Sequence, residues 1–256
     1  MNTPTLNAGR ITALGRTELT LLVRNRATLT LALLMPLLMV FVLRSSLGDG
    51  DGEGARAVGE ATLTGGIGMV LLLVVHMNLV SSYVARREEL VLKRLRTGEA
   101  SDLEILAGTA LPAAALALAQ IAVLAVAGAA ALDVGMPQNP LLLVAAVLAG
   151  VLMLAALSAV TSSFTRTVET AGLTTLPLFL ATVLGSGLFA PTDALPDLAA
   201  SLCELLPLSG VMTLVRAGWS GGAGGGDLLG AALTALAWIM ISVFAVQRWF
   251  RWEPRR

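Results

Sequence analysis

Charged residues are scarce in this sequence. They make up 13% of its 256 residues, whereas hydrophobic residues make up 56% and the mean hydropathy is +0.81. A soluble domain of this length has no core large enough to bury so much apolar surface. Several uncharged runs reach the ~20 residues that a helix needs to cross a lipid bilayer. The shortage of charge therefore excludes an ordinary soluble domain and predicts an all-α polytopic membrane protein.

Cysteine and lysine occur once each. The single cysteine, Cys203, excludes an intramolecular disulfide and a cysteine-based metal cluster. The single lysine, Lys93, precedes Arg94, whereas a phosphate-binding loop needs a lysine followed by Ser or Thr after a glycine-rich turn. We therefore expect this chain to bind neither ATP nor another cofactor itself. The net charge is zero, which gives no reason to expect a nucleic-acid partner.

Catalytic groups are also scarce inside the apolar runs. The only histidine, His76, has no second His, Asp or Glu at mid-span that could complete a metal site or a proton relay. Three serines, Ser158, Ser162 and Ser163, share an apolar run without an obvious base. An intramembrane hydrolase needs a nucleophile and a base within reach of each other. We therefore expect a protein that is not an enzyme.

Six apolar runs have the length of a membrane span. They cover about residues 27–43, 61–85, 105–132, 141–164, 170–190 and 228–246. They define a transmembrane domain over 27–250, followed by a short tail over 251–256. Before it, residues 1–26 combine leucines at helical spacing with interspersed arginines. This pattern predicts an N-terminal amphipathic helix at the membrane interface, with a solvated basic tail as the alternative.

The segment between the fifth and sixth runs has a different character. Residues 191–218 are largely apolar, but Pro196 and Pro207 interrupt them and four charged residues lie among them. Neither half, about 198–206 or 208–217, is long enough to cross a bilayer. Irregular backbone at membrane depth is tolerated where protein covers it. The sequence therefore predicts two short helices here that are re-entrant or lie at the extracellular interface.

A charged stretch over residues 86–96 separates the second and third runs. It holds 5 of the 17 basic residues of the chain. Ser101 and Glu104 match a capping box, which begins a new helix, so this stretch is predicted to be a separate short helix. Within it, Glu89 and Lys93 form an i,i+4 pair in the favourable order. A helix that lies on the lipid headgroups is the alternative to a docking surface.

The distribution of basic residues predicts the orientation. With six spans, 14 basic residues fall on the side of the termini and residues 86–96, and the other 3 fall on the opposite side. Loops rich in Arg and Lys stay in the cytoplasm, so both termini and the charged stretch are predicted to be cytoplasmic. Arginine outnumbers lysine 16 to 1, and alanine is abundant, which is typical of a GC-rich bacterial genome.

A few polar residues lie within the runs. His76 and Asn78 belong to the second run, and Thr174, Thr175 and Thr182 give the fifth a polar face. Polar groups at membrane depth usually face a bundle interior or a cavity, so these residues are candidates for a substrate path. The alternatives are a hydrogen-bonded packing histidine and hydroxyls that bond back to their own helix.

Two segments resemble the permease subunit of ABC-2 type exporters, in particular the daunorubicin-exporter-like drug permeases. Residues 87–96 are similar to the family's Arg-Glu and Leu-x-x-Leu-Arg segment after the second span. Residues 188–191, 195–196, 205–208 and 214–216 are similar to its segment between the fifth and sixth spans. With the six-run pattern, the resemblance covers nearly the whole chain.

The resemblance implies a division of labour between subunits. A separate ATP-binding protein, acting as a dimer that uses ATP and Mg²⁺, docks on the cytoplasmic face, and two permease chains, identical or sister chains, enclose the path. The implied coupling residues are Arg87, Glu88, Glu89, Leu92, Lys93, Leu95 and Arg96. The possible translocation path consists of His76, Asn78, Thr174, Thr175, Phe179 and Thr182.

Export of a hydrophobic or amphipathic drug or natural product across the cell membrane, with antibiotic resistance as a consequence, is the leading hypothesis. The apolar spans without mid-span charge suit such a cargo. Two alternatives stay open: export of a lipid-linked glycan, and a membrane protein without transport activity that serves in assembly or immunity.

Cysteine labelling measures the predicted orientation. Because Cys203 is the only native cysteine, its replacement by serine gives a cysteine-free background. We expect Gly52→Cys to react with a membrane-impermeant maleimide added to intact cells, and Gly98→Cys to react only after the cells are opened. Reaction of position 98 in intact cells would contradict the cytoplasmic placement of residues 86–96.

Overall fold

The computed structural model describes residues 9, 15, 16, 20, 23, 24, 26–47, 53–97, 101–132, 134–185 and 197–253. Within these residues the regular secondary structure is helical, without strands. Most of the predicted amphipathic helix over 1–26, Gly98 and residues 188–196 of the resemblance lie outside the described residues, as does the end of the tail. The all-α prediction is confirmed for the part that is described.

Ten α-helices and one π-helical segment follow each other along the described chain. They are α1 (Arg26–Leu47), α2 (Glu53–Val70), the π segment (Leu71–Met77), α3 (Asn78–Glu88), α4 (Val91–Arg96), α5 (Asp102–Ala131), α6 (Pro140–Phe164), α7 (Val168–Gly185), α8 (Asp197–Glu204), α9 (Pro207–Ser220) and α10 (Gly225–Trp249). The π segment joins α2 to α3, so that Glu53 to Glu88 form one long helical rod.

Five described helical stretches are long and apolar enough to cross a membrane. They are Arg56–Glu88, Asp102–Ala131, Pro140–Phe164, Val168–Gly185 and Gly225–Trp249. Each overlaps one of the predicted runs, because length and hydropathy are properties of the local sequence. In α1 the apolar stretch Ala32–Val42 is shorter, so the count of six spans stays a prediction.

Side-chain caps fix the starts of two spans. At α5, Glu104 Oε2 accepts the Ser101 backbone N–H at 2.8 Å, and Ser101 Oγ accepts the Glu104 N–H at 3.4 Å, as the capping box predicted. At α6, Asn139 Oδ1 accepts the Leu142 N–H at 3.0 Å, and Pro140 occupies the first turn. Each cap satisfies backbone donors that have no partner inside the helix.

Helix α9 lies in the core although it is too short to cross the bilayer. Its 14 residues span about 21 Å, against a hydrocarbon core of ~30 Å. It packs along α6 and α10, with Gly218 against the backbone of Leu143 and Val211 beside Gly150. Gly150 is 10 residues into α6, so α9 reaches about 15 Å below the start of that helix. Helices α8 and α9 occupy the segment where two short helices were predicted, while their re-entrant or extracellular interfacial position stays a prediction.

Polar contacts join the end of α9 to the starts of α2 and α6. Glu60 Oε1 pairs with Arg56 Nε at 3.3 Å, and Glu60 Oε2 accepts the Ser220 hydroxyl at 2.7 Å. The backbone N–H of Gln138 donates to Trp219 O at 3.1 Å. The start of α2, the start of α6 and the end of α9 are therefore fixed to one another at one end of the bundle.

Enlarging Gly210 tests how closely α9 approaches α10. A Cβ at Gly210 would lie 2.5 Å from Ala231 O, a backbone atom that cannot rotate away. We expect Gly210→Ala to lose up to about 2 kcal/mol, because overpacking costs about 1–3 kcal/mol and the gain in helix propensity offsets ~1 kcal/mol of it. Thermal unfolding in detergent measures the difference.

The matched control is Gly230→Ala in α10, because no atom lies within 4 Å of the Cβ position there. We expect this variant to be unchanged or slightly more stable. Equal melting temperatures for the two variants would contradict the close approach of α9 to α10.

Candidate functional site

The charged stretch over 86–96 contains a sharp turn. Leu90 adopts the left-handed conformation, with φ 59° and ψ 16°, between α3 and α4. Residues 86–88 continue the second span as the end of α3, and only Val91–Arg96 form a separate helix. The prediction of one separate helix over the whole stretch is therefore wrong. Backbone bonds from Leu90 N to Arg87 O and from Arg94 N to Leu90 O, at 3.1 and 3.0 Å, hold this turn.

The turn also removes the predicted Glu89–Lys93 pair. An i,i+4 pair needs both residues on one continuous helix, and the chain turns at Leu90 between them. The Lys93 ammonium instead lies 2.8 Å from Glu253 Oε1 in the C-terminal segment. Both side chains are more than half exposed, so this ion pair contributes little stability by itself.

Arg87 is buried inside the chain, at 1% exposure. Its guanidinium donates from Nη1 to Ser162 O at 2.8 Å and from Nη2 to Thr165 O at 2.5 Å. These carbonyls lie at the C-terminal end of α6, where the helix dipole favours a cation, and Ser162 O also accepts the Thr165 N–H at 3.2 Å. Arg87 therefore fixes the end of α3 to the end of α6.

The seven predicted coupling residues fall into three groups. Glu88, Glu89, Lys93 and Arg96 are exposed, Leu95 is half-buried, and Arg87 and Leu92 are buried. As a correction, Arg87 and Leu92 form no part of the open surface in this structure. The apolar side of so short a helix has to be covered by the chain itself, because the helix is not stable alone. Any influence of these two residues on a partner would be indirect.

A row of aromatic rings runs from the second span to α4. Tyr83 meets Phe250 edge-on at 6.2 Å, and Phe250 meets Trp252 edge-on at 4.9 Å between ring centroids. The Arg96 guanidinium lies over the Trp252 ring at 4.9 Å, a cation–π contact. Tyr83 is anchored because its hydroxyl donates to Leu106 O at 3.0 Å. The segment after α10 therefore braces α4 against α3 and α5.

Arg96 and Trp252, which hold α4 in place, border an open pocket of about 680 Å³. It is lined by Lys93, Arg96, Thr97, Arg251, Trp252 and Glu253. Three cations and one carboxylate make this surface basic, although Asp102 also pairs with Arg96 at 3.0 Å. Such a surface can accept acidic side chains of another protein and an apolar group on the indole ring. Sequence reasoning missed Trp252 and Glu253, although basic and aromatic residues alternate after α10.

His76 lies in the π segment and is buried. Its Nδ1 lies 3.1 Å from Ser158 Oγ in α6. The Ser158 hydroxyl has one proton and makes its shortest contact, 2.6 Å, with Leu154 O. Donation to that carbonyl leaves Nδ1–H of His76 as the donor to Ser158. The π-helical turn places this bond inside the core, whereas Asn78, two residues further, is exposed.

The candidate path residues on α7 lie mostly on its covered face. Thr175 and Thr182 are buried, while Thr174 and Phe179 are half-buried. The hydroxyls of Thr174 and Thr175 bond back to Thr170 O and Ala171 O, both at 3.0 Å, as the packing alternative predicted. Helix α7 packs against the π segment, so a path between them would open only if α7 moved away. The path assignment stays a prediction.

A helical bundle with five described stretches that are long and apolar enough to cross a bilayer is typical of a multi-pass membrane protein. Residues 9–219 match the family model described as ABC-2 type transporter, and the chain belongs to this family. Among curated proteins, no sequence matches the chain. Permeases of this family are membrane components of transporters and generally work with ATP-binding partner proteins.

Replacing Arg87 tests its role as a fixed link. We expect Arg87→Met to lose about 2–3 kcal/mol, because hydrogen bonds from a charged donor to two carbonyls disappear. This corresponds to a fall of about 5–10 °C in the melting temperature. The control is Arg251→Met, at an exposed position on the same side of the molecule. If both variants melt together, the link from α3 to α6 carries no stability.

Proposed function

We propose that this chain is the permease subunit of an ATP-binding cassette exporter, which moves a hydrophobic or amphipathic drug or natural product out of a bacterial cell. A dimer of a separate ATP-binding protein hydrolyses ATP with Mg²⁺ and docks on the cytoplasmic face. Membership of the family supports this proposal, because its permeases generally work with such partners.

The observation that carries the proposal is the braced position of α4. A helix of six residues transmits force only if other elements hold it. The turn at Leu90 joins α4 to α3, and the buried side chain of Leu92 packs α4 against the chain. Lys93 and Arg96 contact the C-terminal segment. A push on the exposed side of α4 would therefore reach α3 and the end of α10 together.

The exposed charges supply the docking surface in this proposal. Glu88 and Glu89 precede the turn, and Lys93 and Arg96 follow it, so acidic and basic groups lie side by side. A mixed pattern of this kind specifies register and partner choice more than it adds affinity. The basic pocket beside Trp252 extends the surface and suits acidic residues of the ATP-binding protein.

A second permease chain completes the path in this proposal. The described part of α7 exposes a row of large apolar side chains. These are Leu173, Leu176, Leu180 and Leu184. This face and the exposed Asn78 would border the cargo between two chains, whereas His76 and the threonines of α7 would reach it only if α7 moved away from the π segment. The same apolar surroundings suit a lipid-linked glycan less well, because its sugars need polar partners.

Charge reversal at Glu89 tests the docking surface. We expect Glu89→Arg to reduce co-purification with the ATP-binding protein and to abolish the stimulation of ATP hydrolysis by the cargo, without a change in membrane insertion. The reason is that an exposed carboxylate beside the turn becomes a cation that repels its basic partner. Pull-down and ATPase assays in reconstituted vesicles measure both effects.

The matched control is Glu204→Arg, because Glu204 is exposed at the end of α8. Cys203 lies beside Gly185, the last residue of α7, so Glu204 is near that end of α7. This end is about 26 Å along the helix from Val168. Unchanged pull-down and ATPase values for Glu89→Arg would refute the docking surface. Leu92→Asp is a weaker test, because a carboxylate at a buried site would also disturb the fold.

A further inference from the structure

Helix α1 contains a carbonyl that its own helix cannot satisfy. Pro36 has no backbone N–H, so the carbonyl four residues earlier, Ala32 O, lacks its helical donor. The Gln120 side chain of α5 supplies one, with Nε2 donating to Ala32 O at 2.7 Å. This bond fixes which way the amide of Gln120 points, because only its nitrogen can donate to a carbonyl.

The other end of the same amide is not satisfied. Gln120 is 5% exposed, and its Oε1 finds no hydrogen-bond partner within the described chain. A buried carbonyl oxygen without a donor is unfavourable, and in a membrane span no bulk water reaches it. The site is therefore complete only when a donor is supplied from outside the described residues.

Gln120 borders a groove of about 700 Å³ between α1, α2, the π segment and α5. This volume lies in the range of small-molecule sites. The groove is lined by Met35, Pro36, Val58, Ala61, Thr62, Gly65, Gly66, Met69, Val70, Leu73, Val74, Gln120 and Leu124. Met35, Val58 and Leu73 are exposed, so the groove opens to the surface of the chain.

The chemistry of the lining residues indicates which kind of molecule fits the groove. Water needs two to four polar partners, and the polar side chains of the lining are Gln120 and Thr62. The Thr62 hydroxyl already donates to Val58 O at 2.8 Å and can only accept, so the side chains of the lining, which is otherwise apolar, offer a water two acceptors at most. A plain hydrocarbon fits the apolar walls and leaves Gln120 Oε1 unsatisfied. A helix of a second copy has its own backbone donors engaged. An apolar molecule with one O–H or N–H group satisfies both the walls and the oxygen.

We infer that this groove binds a lipophilic molecule from the bilayer that carries a hydroxyl or N–H donor, with the donor on Gln120 Oε1. Gly65 and Gly66 keep the floor of the groove open because they have no side chains. The irregular π segment forms one wall, and such segments often accompany functional sites. The inference does not depend on the proposed function, since binding requires no ATP-binding partner.

Photolabelling with a matched pair of probes tests the inference. The probes are a hexadecanol that carries a mid-chain diazirine and its methyl ether, which has the same chain but no donor. We expect the alcohol to label the full-length protein in lipid vesicles about fivefold more than the ether, the effect of one hydrogen bond. Mass spectrometry should place the adducts on peptides of α1, α2 and α5.

Two variants separate the donor contact from the shape of the groove. Gln120→Met keeps the length of the side chain, and we expect it to label equally with both probes. Gly66→Leu fills the floor, leaves Gln120 in place and should remove labelling by both. The control is Gly230→Leu, which adds the same bulk where a Cβ meets no atom within 4 Å, and should label like the wild type.

Three results would overturn the inference. The first is equal labelling of the wild type by alcohol and ether. The second is an alcohol preference that persists in Gln120→Met. The third is absence of labelling, together with a disulfide between two copies of a Thr62→Cys variant that has Cys203 replaced, because a second copy would then cover the groove.

Discussion

Backbone carbonyls that accept side-chain donors from other elements determine how the elements of this molecule are joined. In a bilayer no solvent can satisfy these groups, so neighbouring elements must supply the donors. In the described part of the chain, side-chain donors reach backbone carbonyls of other elements at several places, and four pairs illustrate this. The pairs are Gln120 with Ala32 O, Arg87 with Ser162 O, Tyr83 with Leu106 O and Trp238 with Leu205 O. Each bond joins two elements far apart in the sequence, and the candidate site is built where two of them, from Arg87 and Tyr83, fix α3.

The same constraint explains why charged residues near the turn serve different purposes. Arg87 is buried and its guanidinium holds the end of α6, whereas Lys93 and Arg96 are exposed and pair at the surface with Glu253 and Asp102. Glu253 and Trp252 then hold α4 from the other side. A docking surface on a membrane protein needs this combination, because exposed charges act on the spans only through groups that are fixed in the core.

Local signals in the sequence were sufficient for five of the six predicted spans and for the starts of two helices. Hydropathy, the Ser101 capping box and the Asn139–Pro140 start depend on residues within one turn of each other. The burial of Arg87 and the Lys93–Glu253 pair could not be predicted, because their partners lie 75 or more residues away. Charge alone suggested that Arg87 is exposed. The turn at Leu90 was missed because leucine rarely adopts a positive φ, and no glycine marks it.

Leucine at that turn has a mechanical consequence. A left-handed leucine costs about 1–2 kcal/mol relative to a right-handed one, and the surrounding bonds hold it in place. Glycine would fit the turn with less strain but would also visit many other conformations. The elbow between α3 and α4 is therefore stiff. Because the turn at Leu90 bends little, a displacement of α4 would be passed almost fully to α3 and to the helical rod from Glu53 to Glu88.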